Sequence, residues 1–163
     1  MKKKILDAFY AYEQTKSKNG EDDYCAQLTI PMTIISNMLH SRGKHIYEAY
    51  DLTQSEIDML AVLYIYNEGL TASEVSDRMV FSSGGISKVV KKLEFKNLIY
   101  KKYSTEDKRC ALLYLEDKAR EIVLACFPLF KENDAYFYNV LDETEIIILK
   151  KAFKKILYSV CED

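Results

Sequence analysis

The fold is decided by residues 82–99, which read SSGGISKVVKKLEFKNLI. Apolar residues recur there at i, i+3, i+4 and i+7, namely at Ile86, Val89, Val90 and Leu93. This spacing is typical of an amphipathic helix that buries one stripe of side chains. The hydroxyls of Ser82 and Ser83 suit the start of such a helix, so the pattern predicts a helix over 83–95. The opposite stripe is small at its start and basic further along.

Two helix starts precede this stretch. Thr53 is followed three residues later by Glu56, and Thr71 is followed three residues later by Glu74. A threonine and a glutamate at this spacing form a capping box, because each side chain can satisfy a backbone amide of the other residue. The pattern predicts two short consecutive helices, the first of which Gly69 can close.

A hairpin follows the third helix. Residues 99–103 and 110–115 are short segments rich in Ile, Tyr and Leu, and a polar, charged tip joins them. They predict two antiparallel strands. Three helices followed by a hairpin form the order of a winged helix-turn-helix, so we expect a mainly α fold with a small β-hairpin wing.

Positive charge is concentrated in this region. Residues 84–109 contain seven lysines and one arginine against three acidic residues, a net charge of +5 in a chain whose total is −2. The rest of the chain therefore carries −7. A lysine-rich helix face alone is more often only solvated. Here the neighbouring helices and hairpin favour nucleic-acid binding, since lysine and arginine neutralise phosphates.

As a set, these segments resemble the MarR family of transcriptional regulators. The resemblance rests on LTQSEIDMLAVL, LTASEVSDRM, SSGGISKVVKKLEFKNLI and the DKR of the hairpin tip, and it covers residues 52–115. It implies a recognition helix at 83–95 in the major groove of double-stranded DNA, with the hairpin as the wing. It also implies that Arg109 enters the minor groove, whose negative potential suits a guanidinium, and that Asp107 braces the wing.

The residues expected to contact DNA combine the outer stripe of the helix with the cations of the wing. They are Ser82, Ser83, Gly84, Ser87, Lys88, Lys91, Lys92, Lys102, Lys108 and Arg109. Three features depart from the family pattern. Asn97 replaces a usual glycine, which is compatible with a left-handed helix end. Glu116 and Ala119 alter the entry to the next helix, and the N-terminal segment through Asp23 is longer than usual.

The terminal segments predict helices that hold two copies together. Apolar spacing suggests a short first helix around Phe9, and a second helix is expected to begin near Pro31. A helix from Asp117 should kink or end at Pro128. Finally, Asp142 and Glu145 mark the start of a last amphipathic helix.

These helices divide the chain into three regions. We expect N-terminal dimerisation helices at 1–51, the DNA-binding lobe at 52–115 and C-terminal dimerisation helices at 116–163. The homodimer would present two recognition helices to successive major grooves. Its operator is then expected to be a near-palindrome with half-sites about one helical turn apart. The regulator is expected to be a repressor.

Several function classes lack support in the sequence. Asp7 and Glu13 interrupt the apolar residues after the basic start, which argues against a signal peptide. No run reaches the roughly 18 apolar residues of a membrane-spanning helix, so we expect a cytoplasmic protein without membrane contact. Neither a phosphate-binding loop nor a nucleophile elbow appears. His40 and His45, five residues apart, do not share a helical face. No enzymatic activity, cofactor or metal is therefore expected.

Three alternatives remain at this level. The resemblance implies release from DNA by a small aromatic effector, although most of the thirteen tyrosines are expected to be packing residues. Cys25 lies where some relatives sense peroxides, which makes thiol-based redox sensing a second hypothesis. Most of the four cysteines are otherwise expected to be small, buried apolar residues. A winged-helix protein-interaction module without DNA binding is the third.

Overall fold

The computed structural model describes residues 2–13, 24–79, 85–103 and 111–161. The chain divides into two compact units, Met1–Arg42 and Gly43–Asp163. The helices and strands are α1 (Lys2–Glu13), α2 (Ile30–Glu48), α3 (Gln54–Tyr66), α4 (Ala72–Arg78), α5 (Ile86–Phe95), β1 (Ile99–Tyr103), β2 (Ala111–Leu115), α6 (Asp117–Tyr138) and α7 (Glu143–Cys161). None of the described helices is both long and apolar enough to cross a membrane.

The first unit contains α1 and the first part of α2. A π-helical turn over Cys25–Thr29 precedes α2, and its last bond runs from the Ile30 amide to the Cys25 carbonyl. Pro31, the second residue of α2, lacks an amide hydrogen and its ring needs space on the preceding turn, which suits a widened turn there. The predicted helix start near Pro31 is confirmed, with the π turn as an addition.

The second unit is built around α3. Six of the thirteen residues of this helix are buried, and its apolar side chains pack against α5, α6 and the hairpin. Most of the buried side chains are apolar, as expected if burial of apolar surface drives folding, and among the described residues Glu56 and Asn133 are the buried polar ones. The most deeply buried apolar side chains are Met59, Leu60, Leu70, Val75, Leu93, Leu113, Val123 and Cys126.

Both predicted capping boxes are confirmed. The Thr53 hydroxyl accepts from the Glu56 amide at 3.4 Å, and the Glu56 carboxylate accepts from the Thr53 amide at 2.7 Å. The same reciprocal pair links Thr71 and Glu74 at the start of α4. Because the two amides would otherwise lack partners at the helix starts, these residues set where α3 and α4 begin.

Gly69 does not close α3, contrary to the prediction. The helix ends at Asn67, which adopts a left-handed conformation with φ 46°. Gly69 instead makes room for a ring, because a Cβ atom there would lie 2.3 Å from the hydroxyl oxygen of Tyr114. Asparagine tolerates the left-handed conformation, so Asn67 closes α3 and Gly69 accommodates the ring of Tyr114.

The wing is an antiparallel pair of strands in the register Ile99↔Leu115 to Tyr103↔Ala111. Leu70, between α3 and α4, adds a bridge to Leu113. Side chains alternate across a strand pair, so Ile99, Leu113 and Leu115 face the core. The other face carries the Tyr100↔Tyr114 and Lys102↔Leu112 pairs.

α6 continues through Pro128 as a single helix of 22 residues, so the predicted end at Pro128 is wrong. A proline within a helix removes one backbone hydrogen bond and crowds the preceding turn. Tertiary packing holds the helix on both sides of this position: Cys126 is fully buried and Phe130 packs against the core. Burial of the helix face outweighs the local preference.

α7 begins after Asp142, as predicted, but none of its side chains is buried. The Asp142 amide donates to Glu145 at 2.8 Å and the Glu145 amide donates to Asp142 at 2.9 Å, a third reciprocal cap. The exposed apolar side chains of α7 are Ile147, Ile148, Phe153, Ile156, Leu157, Tyr158 and Val160.

Candidate nucleic-acid interface

The predicted recognition helix is α5, which begins at Ile86 rather than at Ser83. Its N-cap is Gly85, in the left-handed region with φ 79°. Open space surrounds the position where a Cβ would lie, so glycine is favoured there by backbone conformation and not by packing. Asn97 follows the helix with φ 54°, which confirms the expectation that it adopts the left-handed conformation.

The two faces of α5 differ in burial as the sequence pattern predicts. Val89, Val90 and Leu93 are buried against the core. The residues of α5 from the predicted DNA-contacting set, Ser87, Lys88, Lys91 and Lys92, are all exposed. The three lysines line one open groove together with Phe95 and Lys96, and Asp51, Thr53 and Glu56 complete its lining. Lys88, Lys91 and Lys92 form no salt bridge within the described part of the chain.

Two other lysines of the basic region are engaged inside the lobe. The Lys101 ammonium lies 2.7 Å from the Glu94 carboxylate, which ties β1 to α5. Lys96, just after α5, lies 3.3 Å from the Glu56 carboxylate and also donates to the Asp51 carbonyl. Neither lysine was among the predicted DNA contacts. The structure therefore separates lysines that join elements from lysines that point outward.

Glu56 connects the start of α3 to the end of α5. Its side chain is 1% exposed, and its Oε2 atom accepts from both the Thr53 amide and the Lys96 ammonium. A buried carboxylate needs such partners, because an unpaired one loses its hydration without compensation. The sequence identified Glu56 as a cap but held no signal for its pairing with a lysine forty positions later.

Lys102 lies on the outer face of the wing, over a pair of aromatic rings. The Tyr100 and Tyr114 rings stack with centroids 5.4 Å apart. The Lys102 ammonium lies 4.9 Å from the Tyr114 centroid and 5.5 Å from that of Tyr100. Attraction between a cation and the ring faces favours one position for this exposed ammonium.

The remaining predicted contacts fall in two segments outside the described residues. Ser82, Ser83 and Gly84 precede Gly85, while Asp107, Lys108 and Arg109 belong to the hairpin tip. Their roles stay predictions.

The cysteines differ from the expectation that most are buried. Of the three in the described part, only Cys126 is buried, while Cys25 and Cys161 are exposed. Burial raises the pKa of the Cys126 thiol and so disfavours its reactive thiolate. Cys110 lies outside the described residues. The described residues include no group of three or more His, Cys, Asp or Glu side chains placed to hold a metal ion.

Phe95 is a residue that the sequence analysis did not include among the contacts. Its side chain is 88% exposed at the end of α5, beside Lys91 and Lys92 in the groove. The signal was present in the spacing, since Lys88, Lys91 and Phe95 follow each other at i, i+3 and i+7 and so share a helix face.

Comparison with known proteins identifies the family of the chain. Residues 43–125 match the family model described as transcriptional regulator SarA/Rot, which is half of the chain. The chain belongs to the SarA/Rot family of transcriptional regulators. It is also 27% identical over 114 residues to the HTH-type transcriptional regulator MhqR of Bacillus subtilis, covering 70% of this chain and 77% of MhqR.

Solved structures agree on the fold of this SarA/Rot-type chain. The Staphylococcus aureus MepR–DNA complex superposes with a TM-score of 0.72 at 24% identity, over 81% of this chain and 97% of MepR. Apo MarR from E. coli gives a TM-score of 0.67 at 18% identity, over 80% of this chain and 96% of MarR. The predicted winged helix-turn-helix and the resemblance to MarR-family regulators are confirmed.

Proposed function

We propose that this regulator binds double-stranded DNA as a homodimer through the outward stripe of α5 and the wing. The observation that carries the proposal is the division among the lysines. Lys96 and Lys101 are paired with carboxylates, whereas Lys88, Lys91 and Lys92 face outward without a salt bridge in the described part of the chain. Three such cations on one helix face provide the charge that phosphates require.

The proposed division of work follows the geometry of a winged helix. Ser82, Ser83, Gly84 and Ser87 would approach the base edges at the start of α5, while the lysines further along contact phosphates. On the wing, Lys102 would contact the backbone, and Arg109 would enter the minor groove with Asp107 as its brace. MepR, which shares this fold, has been crystallised with DNA, which supports the same use here.

The homodimer is proposed from α7. Apolar side chains at helical spacing, among them Ile156 at 56% and Leu157 at 61% exposed, form a stripe that is unfavourable in water. A second copy would cover this stripe with its own terminal helices, in keeping with dimerisation regions at 1–51 and 116–163 around the DNA-binding lobe at 52–115. A two-fold dimer then reads a near-palindromic operator. Since DNA is the partner, the proposed location is the cytoplasm.

The finer hypotheses concern control. We propose repression that a small aromatic effector relieves, by changing the separation of the two DNA-binding lobes. Redox control is a second candidate because Cys25 is exposed on the π turn before α2. If Cys25→Ser responds to peroxide as the wild-type chain does, this cysteine is not the sensor.

DNA binding is tested by selecting bound duplexes from a random pool and measuring affinity at several salt concentrations. Replacing Lys91 and Lys92 by alanine should weaken binding to every sequence and reduce the salt slope by about 0.9 for each phosphate that is no longer neutralised. Lys131→Ala, an exposed lysine on α6, is the matched control and should bind like the wild-type chain. Arg109→Ala should weaken binding through the minor groove.

The same measurement separates the alternatives. If no duplex is enriched, the chain is better explained as a protein-interaction module of winged-helix fold. If the Lys91 and Lys92 variant changes preference at one base position only, these lysines read bases instead of phosphates. Unchanged affinity of Arg109→Ala would contradict the wing assignment.

A further inference from the structure

Phe95 has no function in the core of the lobe. Its side chain is 88% exposed, the highest value among the large apolar residues in the described part of the chain. Exposing a phenyl group to water is unfavourable, and single exposed apolar residues are common enough to need no explanation. Phe95 differs from these because it lies on the helix face that carries the outward lysines.

The position of Phe95 continues the stripe of Lys88 and Lys91. These three residues are spaced at i, i+3 and i+7, which places them in a row along one side of a helix. All three line the same groove. A ligand that contacts both lysines along α5 therefore passes over the phenyl ring.

The residues on either side of Phe95 are fixed to the rest of the lobe. Glu94 pairs with Lys101 of β1 at 2.7 Å, and Lys96 pairs with the buried Glu56 of α3 at 3.3 Å. These two ion pairs, in the positions before and after Phe95, connect the end of α5 to β1 and α3. The ring consequently projects from a defined point, which is a requirement for reading a specific contact.

We propose that Phe95 contacts the C5-methyl group of thymine in the major groove and so contributes to sequence specificity. The proposal rests on the proposed DNA-binding function. A phenyl ring has no hydrogen-bonding group, and the thymine methyl is the apolar feature that base edges present in the major groove. α5 has ten residues and rises about 1.5 Å per residue, so Phe95 lies about 10 Å along the helix axis from Lys88, and a helix seated in the major groove would bring this last turn to the base edges.

The test removes the methyl group from the DNA and the ring from the protein in turn. A duplex selected with the wild-type chain is synthesised with thymine and with deoxyuridine, which lacks only the methyl group. Affinities of the wild-type chain, Phe95→Ala and Phe95→Leu are measured on both duplexes. Lys91→Ala serves as a matched change on the same stripe. Thermal unfolding verifies that each variant is folded.

We expect deoxyuridine to weaken binding of the wild-type chain by about three- to tenfold. This sensitivity should fall below about twofold in Phe95→Ala and be partly retained in Phe95→Leu, which is still apolar. Lys91→Ala should bind both duplexes more weakly while keeping the full sensitivity to the methyl group, because its contact is with phosphate.

Three outcomes would overturn the proposal. Equal loss of affinity by Phe95→Ala on both duplexes would mean that the ring contacts sugar or a second copy. Unchanged affinity of Phe95→Ala would mean that the ring does not touch the DNA. In both cases the proposed function stands, because the duplex is still bound. An empty selection would contradict the proposed function itself, and the thymine contact with it.

Discussion

α3 and α7 begin in the same way and end in opposite environments. Each has a reciprocal cap, at Thr53 and Glu56 for α3 and at Asp142 and Glu145 for α7. Each is rich in apolar residues. Yet α3 buries six residues in the core, whereas α7 buries none.

The difference shows that a helix start is a local property and burial is not. A cap involves groups three residues apart, so it forms wherever the chain allows a helix. The apolar face of α3 is covered by α5, α6 and the hairpin of its own chain. The face of α7 needs a cover that one chain does not supply, which is the basis for the proposed dimer.

The largest expected effect concerns the buried helix. Leu60→Ala in α3 removes a side chain that is 0% exposed and should lower the free energy of unfolding by about 2–5 kcal/mol. Urea denaturation followed by circular dichroism measures this. Ile65→Ala on the same helix, at a position 67% exposed, should change it by less than about 0.5 kcal/mol. Similar losses at both positions would mean that α3 is not the centre of the core.

The next largest effect concerns the exposed helix. Leu157→Lys places a charge on the apolar stripe of α7 and should raise the dimer dissociation constant about tenfold to a hundredfold. Sedimentation velocity over a concentration series measures this change. Ser159→Lys adds the same charge elsewhere on α7 and should leave the dimer intact. A dimer unaffected by Leu157→Lys would refute the assignment of α7 as the interface.

Removing the caps of α3 and α7 should change the free energy of unfolding less than the substitutions within the helices. Thr53→Ala should cost about 1–2 kcal/mol of stability, because it also loosens Glu56, which pairs with Lys96. Asp142→Ala, on an exposed cap, should cost about 0.5 kcal/mol. Thermal unfolding of both variants, with Thr53→Ser as the control that keeps a hydroxyl, gives the comparison. A greater loss of stability from Asp142→Ala than from Thr53→Ala would contradict the expected order of the two caps.

The smallest expected effect concerns the reactivity of the cysteine thiols. Burial raises the pKa of Cys126 on α6, so its thiol stays protonated in the fold at a pH where the unfolded chain would begin to ionise. The buried, protonated thiol therefore contributes its full stability to the fold below the ordinary thiol pKa of about 8.5. This contribution to the free energy of unfolding is lost as pH rises through the higher pKa of the folded state. Thiol labelling at pH 8 should modify the exposed Cys161 quickly and Cys126 only on unfolding. Rapid labelling of Cys126 in the folded chain would contradict this.

Most of the fold could be predicted from the sequence because its signals act over a few residues. The caps at Thr53, Thr71 and Asp142 needed only a partner three positions away. The apolar spacing of 86–93 located the buried stripe of α5, and the clustered lysines indicated the charged face. The helix ends predicted at Gly69 and Pro128 are wrong for one reason, since a distant side chain or core contact decided each position.

Only the tertiary structure decided which residues of a correctly predicted helix or strand pair with residues of another element. The sequence by itself determined a winged helix whose third helix has a basic outer face. It did not distinguish Lys96 and Lys101, which are paired with carboxylates, from Lys88 and Lys91, which face outward. Nor did it show that Phe95 is largely exposed or that α7 is uncovered. Charge and apolar periodicity are properties of the sequence itself, whereas ion pairing and burial depend on which distant residues the fold brings into contact.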